Sequence, residues 1–76
     1  MSRYASLEAL LAHREALARG PHTPLLDQID QTIRSILGDA SRFVLEEPSD
    51  SAARRHRDRA QGKLRRELMA RGVIAG

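Results

Sequence analysis

Apolar residues recur along the first twenty positions at the spacing of one face of a helix. A serine between Ser2 and Ser6 can cap this helix, and Gly20 followed by Pro21 ends it after Arg19. Arg14 lies in the middle of the apolar stripe, and we expect its stem to pack while its guanidinium reaches water, rather than to pair with an acid across an interface. The stripe consists of Tyr4, Leu7, Leu10, Leu11, Leu17 and Ala18.

The clearest apolar pattern belongs to a second helix, with Thr23 as its cap and Pro24 at its first position. Its period continues past Gly38, although a glycine inside a helix costs about 1 kcal/mol relative to alanine. The pattern therefore predicts one long helix from Pro24 to about Glu46 that ends before Pro48. Its apolar members share about 120° of arc and are Leu25, Leu26, Ile29, Ile33, Ile36, Leu37, Ala40, Phe43 and Val44.

The second predicted helix is much longer than the first. At 1.5 Å per residue the two would span roughly 34 Å and about 22 Å. The end of the long apolar stripe would then extend beyond the first helix and require either the third helix or a second copy of the chain. This end is a candidate partner-binding site, made of Ile36, Leu37, Ala40, Phe43 and Val44.

A third helix follows the turn PSDS, with Ser49, Asp50 or Ser51 as its cap. We expect Gly72 to end it and Val73 to fold back on Leu68 in a Schellman closure. Its apolar line, Ala53, Ala60, Leu64 and Leu68, can pack antiparallel to the second helix.

These elements predict an all-α fold. It is a small three-helix bundle, built from a helical hairpin with a long second helix and a basic C-terminal helix, and dimerisation stays open. Residues 1–50 form the hairpin, and residues 51–76 form the last helix and tail of the same single domain.

The charges are divided unevenly between these two parts. The chain has a formal net charge of +3, but residues 1–50 carry five basic and eight acidic side chains, whereas residues 51–76 carry eight basic and two acidic ones. Such an asymmetry indicates a nucleic acid, an acidic protein surface, or neutralisation of one half by the other.

Six cations cover one half of the third helix, opposite its apolar line. A face of this kind can neutralise several phosphates, with an affinity that depends strongly on salt, and arginine can donate two hydrogen bonds to one phosphate. The candidate nucleic-acid-binding residues are Arg54, Arg55, Arg59, Lys63, Arg65 and Arg66.

The run RRHRDRAQGKLRREL, residues 54–68, resembles the arginine-rich RNA-binding helix of the lambdoid phage antitermination N proteins. In those proteins a short basic helix enters an RNA hairpin. The resemblance covers this run alone, and Asp58 and Gly62 interrupt its basic face. It implies that the arginines of this segment could contact RNA in a similar way.

The alternative to polyanion binding is a solvated helix held by ion pairs. Local pairs at i, i+4 would contribute about 0.2 to 0.5 kcal/mol each. These are Arg54 with Asp58, Lys63 with Glu67, and Glu67 with Arg71. Acids of the first half, in the same chain or in a partner chain, could meet the surplus charge, namely Asp27, Asp30, Asp39, Glu46 and Glu47.

Residues 51–63 contain no large apolar side chain. Ordering each residue costs about 1 to 2 kcal/mol of backbone entropy, and alanine burial returns little of it. We therefore expect the first half of the third helix to fray, or to fold only when something binds.

Little in the sequence indicates catalysis or a bound cofactor. There is no cysteine, and His13, His22 and His56 lack the spacing of metal ligands. No glycine-rich phosphate loop is present, and a bundle of this size should offer little room for a concave pocket. We expect a protein without enzymatic activity, metal, cofactor or small-molecule substrate.

Other binding modes are less favoured by the sequence. The chain has no apolar run long enough to span a bilayer and no Trp to anchor a helix on a membrane surface, so we expect a cytoplasmic protein that does not bind membranes. Single-strand binding would lack an aromatic platform, because Tyr4 and Phe43 look like core residues. The second helix looks too long for a standard helix-turn-helix.

Two functional hypotheses result. The leading one is a small regulatory or accessory protein that binds nucleic acid through its arginine-rich helix. The alternative is a protein-interaction module, such as an adaptor, inhibitor or assembly factor, that docks on a partner helix or dimerises through its apolar stripe.

Overall fold

The computed structural model describes residues 2–75 and has the predicted all-α architecture of a small three-helix bundle. Helix α1 spans Leu7–Arg19 and helix α2 spans Pro24–Leu37. A 3₁₀ turn, Gly38–Ser41, leads into the short helix α3, Arg42–Leu45. The third long helix, α4, spans Ser51–Ala70.

The three long helices begin at the caps that their sequences predict. The Ala9 N–H donates to the Ser6 hydroxyl oxygen (3.1 Å), and the Leu26 N–H donates to Thr23 Oγ1 (3.5 Å). Asp50, one of the three candidates for α4, accepts from the backbone N–H three residues later at 2.8 Å. Each cap satisfies a donor that the first turn of a helix leaves without a partner.

The prediction of one long helix from Pro24 to about Glu46 is wrong. Helix α2 ends at Leu37, because Gly38 adopts φ 60° and ψ −131°, a conformation outside the helical region that is open almost only to glycine. The apolar period continues beyond this point, but the chain changes direction there.

This bend removes the expected overhang of the second helix. Helix α2 has 14 residues and α1 has 13, so their lengths are nearly equal. Helix α3 turns away from the α2 axis and packs against α4 instead. The first half of α4, which we expected to fray, is helical from Ser51 and is covered on one side by this contact.

One core joins the three long helices. It takes two leucines of α1, four residues of α2, three of α4 and Ile74 of the tail. Most of the predicted apolar positions therefore lie in this cluster or pack against it. The exceptions are Leu26, Phe43 and Ala53, which are half-buried outside it, and Ala18, which is exposed. The members of the cluster are Leu7, Leu10, Ile29, Ile33, Ile36, Leu37, Ala60, Leu64, Leu68 and Ile74.

The predicted Schellman closure forms at the end of α4. The Val73 N–H donates to the Leu68 carbonyl (2.9 Å), and the Gly72 N–H donates to the Met69 carbonyl (3.1 Å). Gly72 has φ 75°, the left-handed conformation that this motif requires. The tail is thereby directed back over the core, where Ile74 is 2% exposed.

The two ends of the described chain are hydrogen-bonded to each other. The N–H groups of Arg3 and Tyr4 donate to the Val73 carbonyl at 3.0 and 3.1 Å, and the Ala75 N–H donates to the Tyr4 carbonyl at 3.0 Å. This terminal clasp, residues 3–4 with residues 73–75, covers one end of the bundle.

Arg14 makes the ion pair that we did not favour from the sequence. Its Nε lies 2.6 Å from Asp30 Oδ1, and its Nη2 lies 3.4 Å from Asp30 Oδ2. The two side chains are 22% and 16% exposed, so this two-point contact between α1 and α2 is largely shielded from water.

Candidate nucleic-acid interface

The basic side chains of α4 occupy different flanks of the helix. The core residues Ala60, Leu64 and Leu68 define its inner side. At about 100° per residue, the six candidate cations fall into two groups on either side of the outermost line. The structure therefore divides a face that the sequence presents as continuous.

Four of the cations form one row, here called the basic stripe. Arg55, Arg59, Lys63 and Arg66 are separated by four, four and three residues, a spacing that places them within about 80° of arc. All four are exposed. Between Arg55 and Arg66 the helix rises about 16 Å, so the charges lie along the helix rather than in a cluster.

Within the part of the chain that the structure describes, no residue of the basic stripe makes an ion pair. The ion pairs within residues 2–75 join Arg14 to Asp30, Arg19 to Glu15, His22 to Asp27 and Arg65 to Glu8. None of them includes a residue of the stripe, which therefore carries four uncompensated positive charges.

The other two candidate cations lie on the opposite flank. Arg54 is exposed there, whereas Arg65 donates from Nη2 to Glu8 Oε1 and links α4 to α1. A backbone hydrogen bond holds the pKa of Glu8 below its usual range, and Arg65 lowers it further. The contact engages Arg65 within the fold, so it is not part of the exposed basic surface.

The expected neutralisation of α4 by acids does not form within the described residues. The local pairs Arg54–Asp58, Lys63–Glu67 and Glu67–Arg71 are absent from the ion pairs of residues 2–75. Of the five acids expected to meet the surplus charge, Asp27 pairs with His22 and Asp30 pairs with Arg14, both outside α4. Asp39, Glu46 and Glu47 take part in none of the ion pairs of residues 2–75. Within residues 2–75 the ion pair that reaches α4 comes from Glu8, which the sequence did not single out. Neutralisation of α4 by the acids of a partner chain stays a prediction.

Arg57 points toward the bundle rather than toward water. On the helical wheel it falls within the line of Ala53, Ala60 and Leu64, and it is half-buried. Its Nε is buried without a hydrogen-bond partner in residues 2–75. An unsatisfied buried donor of this kind costs about 1 to 3 kcal/mol.

An aromatic contact borders the basic stripe. The Phe43 and His56 rings are stacked, with centroids 4.8 Å apart and an interplanar angle of 22°. The Arg42 guanidinium carbon lies 4.9 Å from the centroid of the Phe43 ring. Phe43 is half-buried and His56 is exposed, so the expectation that no aromatic platform exists near the basic helix is wrong.

A small cleft adjoins this aromatic platform, which consists of Phe43 and His56. Its volume is about 230 Å³, and it lies between α3 and the start of α4. Its lining combines the Phe43 ring with two carboxylates, and consists of Arg42, Phe43, Glu46, Glu47, Pro48, Ser49 and Ala53.

The candidate partner-binding residues belong largely to the bundle itself. Ile36 and Leu37 are each 8% exposed and form part of the core. Ala40 and Val44 pack against the core as half-buried residues, and Phe43 contacts His56. Helix α4 of the same chain therefore covers much of this apolar stripe. Dimerisation through the stripe stays a prediction.

A groove runs between α2 and the terminal clasp. Its volume is about 480 Å³, with core residues such as Leu10, Ile29 and Leu68 in its lining and Arg3 and Arg71 beside them. This volume lies within the range of small-molecule sites. The expectation that a bundle of this size leaves little room for a concave pocket is therefore wrong.

The histidines make local contacts. His13 Nδ1 lies 2.7 Å from the Tyr4 hydroxyl, and His22 Nε2 lies 2.9 Å from an Asp27 carboxylate oxygen. Within residues 2–75 no three His, Asp or Glu side chains form a group that could hold a metal ion.

In the same residues, no helix is both long enough and apolar enough to cross a membrane.

Sequence reasoning found the cations of the stripe but missed its neighbours. His56 precedes Arg59 by three residues and follows Arg55 directly, a placement that could have located it at the edge of the stripe. Its contact with Phe43 depends on the bend at Gly38. Comparisons with family models, curated proteins and solved structures found no match to this chain, so its function has to be inferred from its own residues.

Proposed function

We propose that this protein is a small accessory or regulatory protein that binds nucleic acid, mainly through phosphates, along the basic stripe of α4. The observation that carries the proposal is a row of four exposed cations without acidic partners in residues 2–75. Arg54 lies on the opposite flank, and Arg65 is engaged by Glu8, so neither is assigned to the main contact.

The length of the stripe suits a polymeric anion better than a single small one. Its rise of about 16 Å equals about five nucleotide steps along a duplex axis at 3.4 Å each. A small anion would contact one or two of the four cations, whereas a strand can contact all of them. Arginine at three of the four positions also favours phosphate, because its planar fork donates two hydrogen bonds at once.

The charge of the stripe is more useful for binding than for stability. Four like charges on one flank repel each other and make no ion pair with acids in residues 2–75. A polyanion would relieve this repulsion and release its own counterions. Since α4 is already helical and capped by Asp50, binding would require little ordering of the backbone.

The test is a titration of labelled DNA duplex, single-stranded DNA and single-stranded RNA at 50 and 200 mM salt. With four phosphate contacts, affinity should fall about 50- to 150-fold between these concentrations. Three stripe cations are then replaced together by glutamine: Arg55→Gln, Arg59→Gln and Lys63→Gln. The slope of log affinity against log salt should become shallower by about 2 to 3.

A matched control removes the same charge elsewhere, through Arg3→Gln, Arg19→Gln and Arg34→Gln. If the stripe is the site, the control should keep most of the salt slope. Equal losses in both variants would show a general charge effect, and the absence of binding at 50 mM salt would refute the proposal.

A further inference from the structure

The aromatic platform offers a contact that the phosphates of a strand do not use. His56 is exposed and stacks on Phe43 with centroids 4.8 Å apart. On the helical wheel it lies at the edge of the basic stripe, about 20° from Lys63. A strand held by the stripe would therefore pass beside an imidazole ring that is already held in a fixed orientation.

We propose that an unpaired nucleobase stacks on the exposed face of His56 while its strand follows the basic stripe, an inference that rests on the proposed function. Phe, His and Arg side chains are the groups on which proteins stack unpaired bases. The Phe43 ring supports the imidazole from behind, and the Arg42 guanidinium carbon lies 4.9 Å from the centroid of the Phe43 ring.

The adjoining cleft does not decide which base stacks on His56, because His56 is not part of its lining. Every base has a π-face, so stacking on the imidazole accepts pyrimidines and purines alike.

The cleft and the stripe have opposite charges. The cations of the stripe attract phosphates, whereas Glu46 and Glu47 disfavour a phosphate in the cleft. The ligand class is a single strand with an unpaired base, and the strand can be RNA or DNA.

The experiment compares three labelled octamers at one salt concentration: oligo(rC), oligo(rU), and an abasic octamer with the same number of phosphates. Stacking contributes about 5- to 150-fold in affinity per base. Because the platform offers one stacking face, oligo(rC) and oligo(rU) should each bind at least about 5-fold tighter than the abasic octamer. Oligo(dC) in parallel identifies the strand, and either order of oligo(rC) and oligo(dC) supports a site that stacks a base.

Two variants test the platform itself. Phe43→Leu removes the ring but keeps an apolar side chain, and His56→Gln removes the stacking face at an exposed position where folding should be unaffected. Both should bring oligo(rC) close to the abasic octamer without changing the salt slope. His22→Gln, an exposed histidine in the turn before α2, is the matched control and should change nothing.

The outcomes separate this inference from the proposed function. If the abasic octamer binds as tightly as oligo(rC) and oligo(rU), the base site is refuted, while a steep salt slope would leave phosphate binding intact. If no octamer binds at low salt, both proposals fail. If oligo(rC) is preferred over the abasic octamer but His56→Gln keeps that preference, the platform is not the site.

Discussion

Replacing Gly38 by alanine distinguishes a bent second helix from a straight one. In a straight helix alanine would stabilise the protein by about 1 kcal/mol, because glycine is the poorer helix former. In the bent structure Gly38 has φ 60° and ψ −131°, and a side chain there is strained by about 1 to 3 kcal/mol. An added Cβ would meet no atom within 4 Å, so the backbone is the source of this cost.

Gly62→Ala is the matched control for this substitution. Gly62 lies inside α4, has no positive φ, and has nothing within 4 Å of an added Cβ. We therefore expect it to stabilise the protein by about 1 kcal/mol. The two glycine-to-alanine changes should act in opposite directions, although both lie within the apolar-periodic part of the sequence.

Thermal unfolding followed by circular dichroism measures both variants. For a domain of this size, 1 kcal/mol shifts Tm by about 4 to 8 °C. Gly62→Ala should raise Tm by about this amount, and Gly38→Ala should lower it by at least as much. A higher Tm for Gly38→Ala would mean that α2 continues through Gly38. It would refute both the bend and the packing of α3 against α4.

Two further predictions concern charged groups between the helices. Arg57→Met should stabilise the protein by about 1 kcal/mol, because it removes a buried donor without a partner and keeps the apolar stem; urea unfolding that shows a loss of stability would indicate a partner for Nε. Asp30→Asn should destabilise the protein by roughly 1 to 3 kcal/mol by leaving Arg14 half-buried without its carboxylate. Asp39→Asn, at an exposed position, is its control. If both variants unfold at the same urea concentration, the Arg14–Asp30 pair does not stabilise the protein by this amount.

The local parts of the fold were predictable from the sequence. Ser6, Thr23 and Asp50 act as caps because each lies just before a run of helical period, and the Gly72–Val73 closure needs only a glycine followed by an apolar residue. Such features depend on neighbours within four or five positions. The basic stripe was predictable for the same reason, since helical spacing alone places Arg55, Arg59 and Lys63 on one flank.

The remaining features depend on contacts between distant segments. A glycine can either end a helix or lie within one, and the residue type of Gly38 does not distinguish the two. The apolar period on both sides of Gly38 favoured a continuous helix. Once the chain bends there, Phe43 reaches His56 instead of the core. In the same way, the Arg14 pair with Asp30 and the Arg65 pair with Glu8 require the relative positions of two helices, which periodicity does not supply.

The terminal clasp has a consequence for the order in which the chain folds. It joins residues 3–4 to residues 73–75, and closing a loop of this length costs roughly 4 kcal/mol of chain entropy. Three backbone hydrogen bonds and Ile74 contribute about 3 to 8 kcal/mol, but ordering the five residues of the clasp costs roughly 5 to 10 kcal/mol more, so the clasp cannot offset the closure cost in an extended chain. We therefore expect the helices to pack first and the clasp to form late, where it slows unfolding rather than accelerating folding.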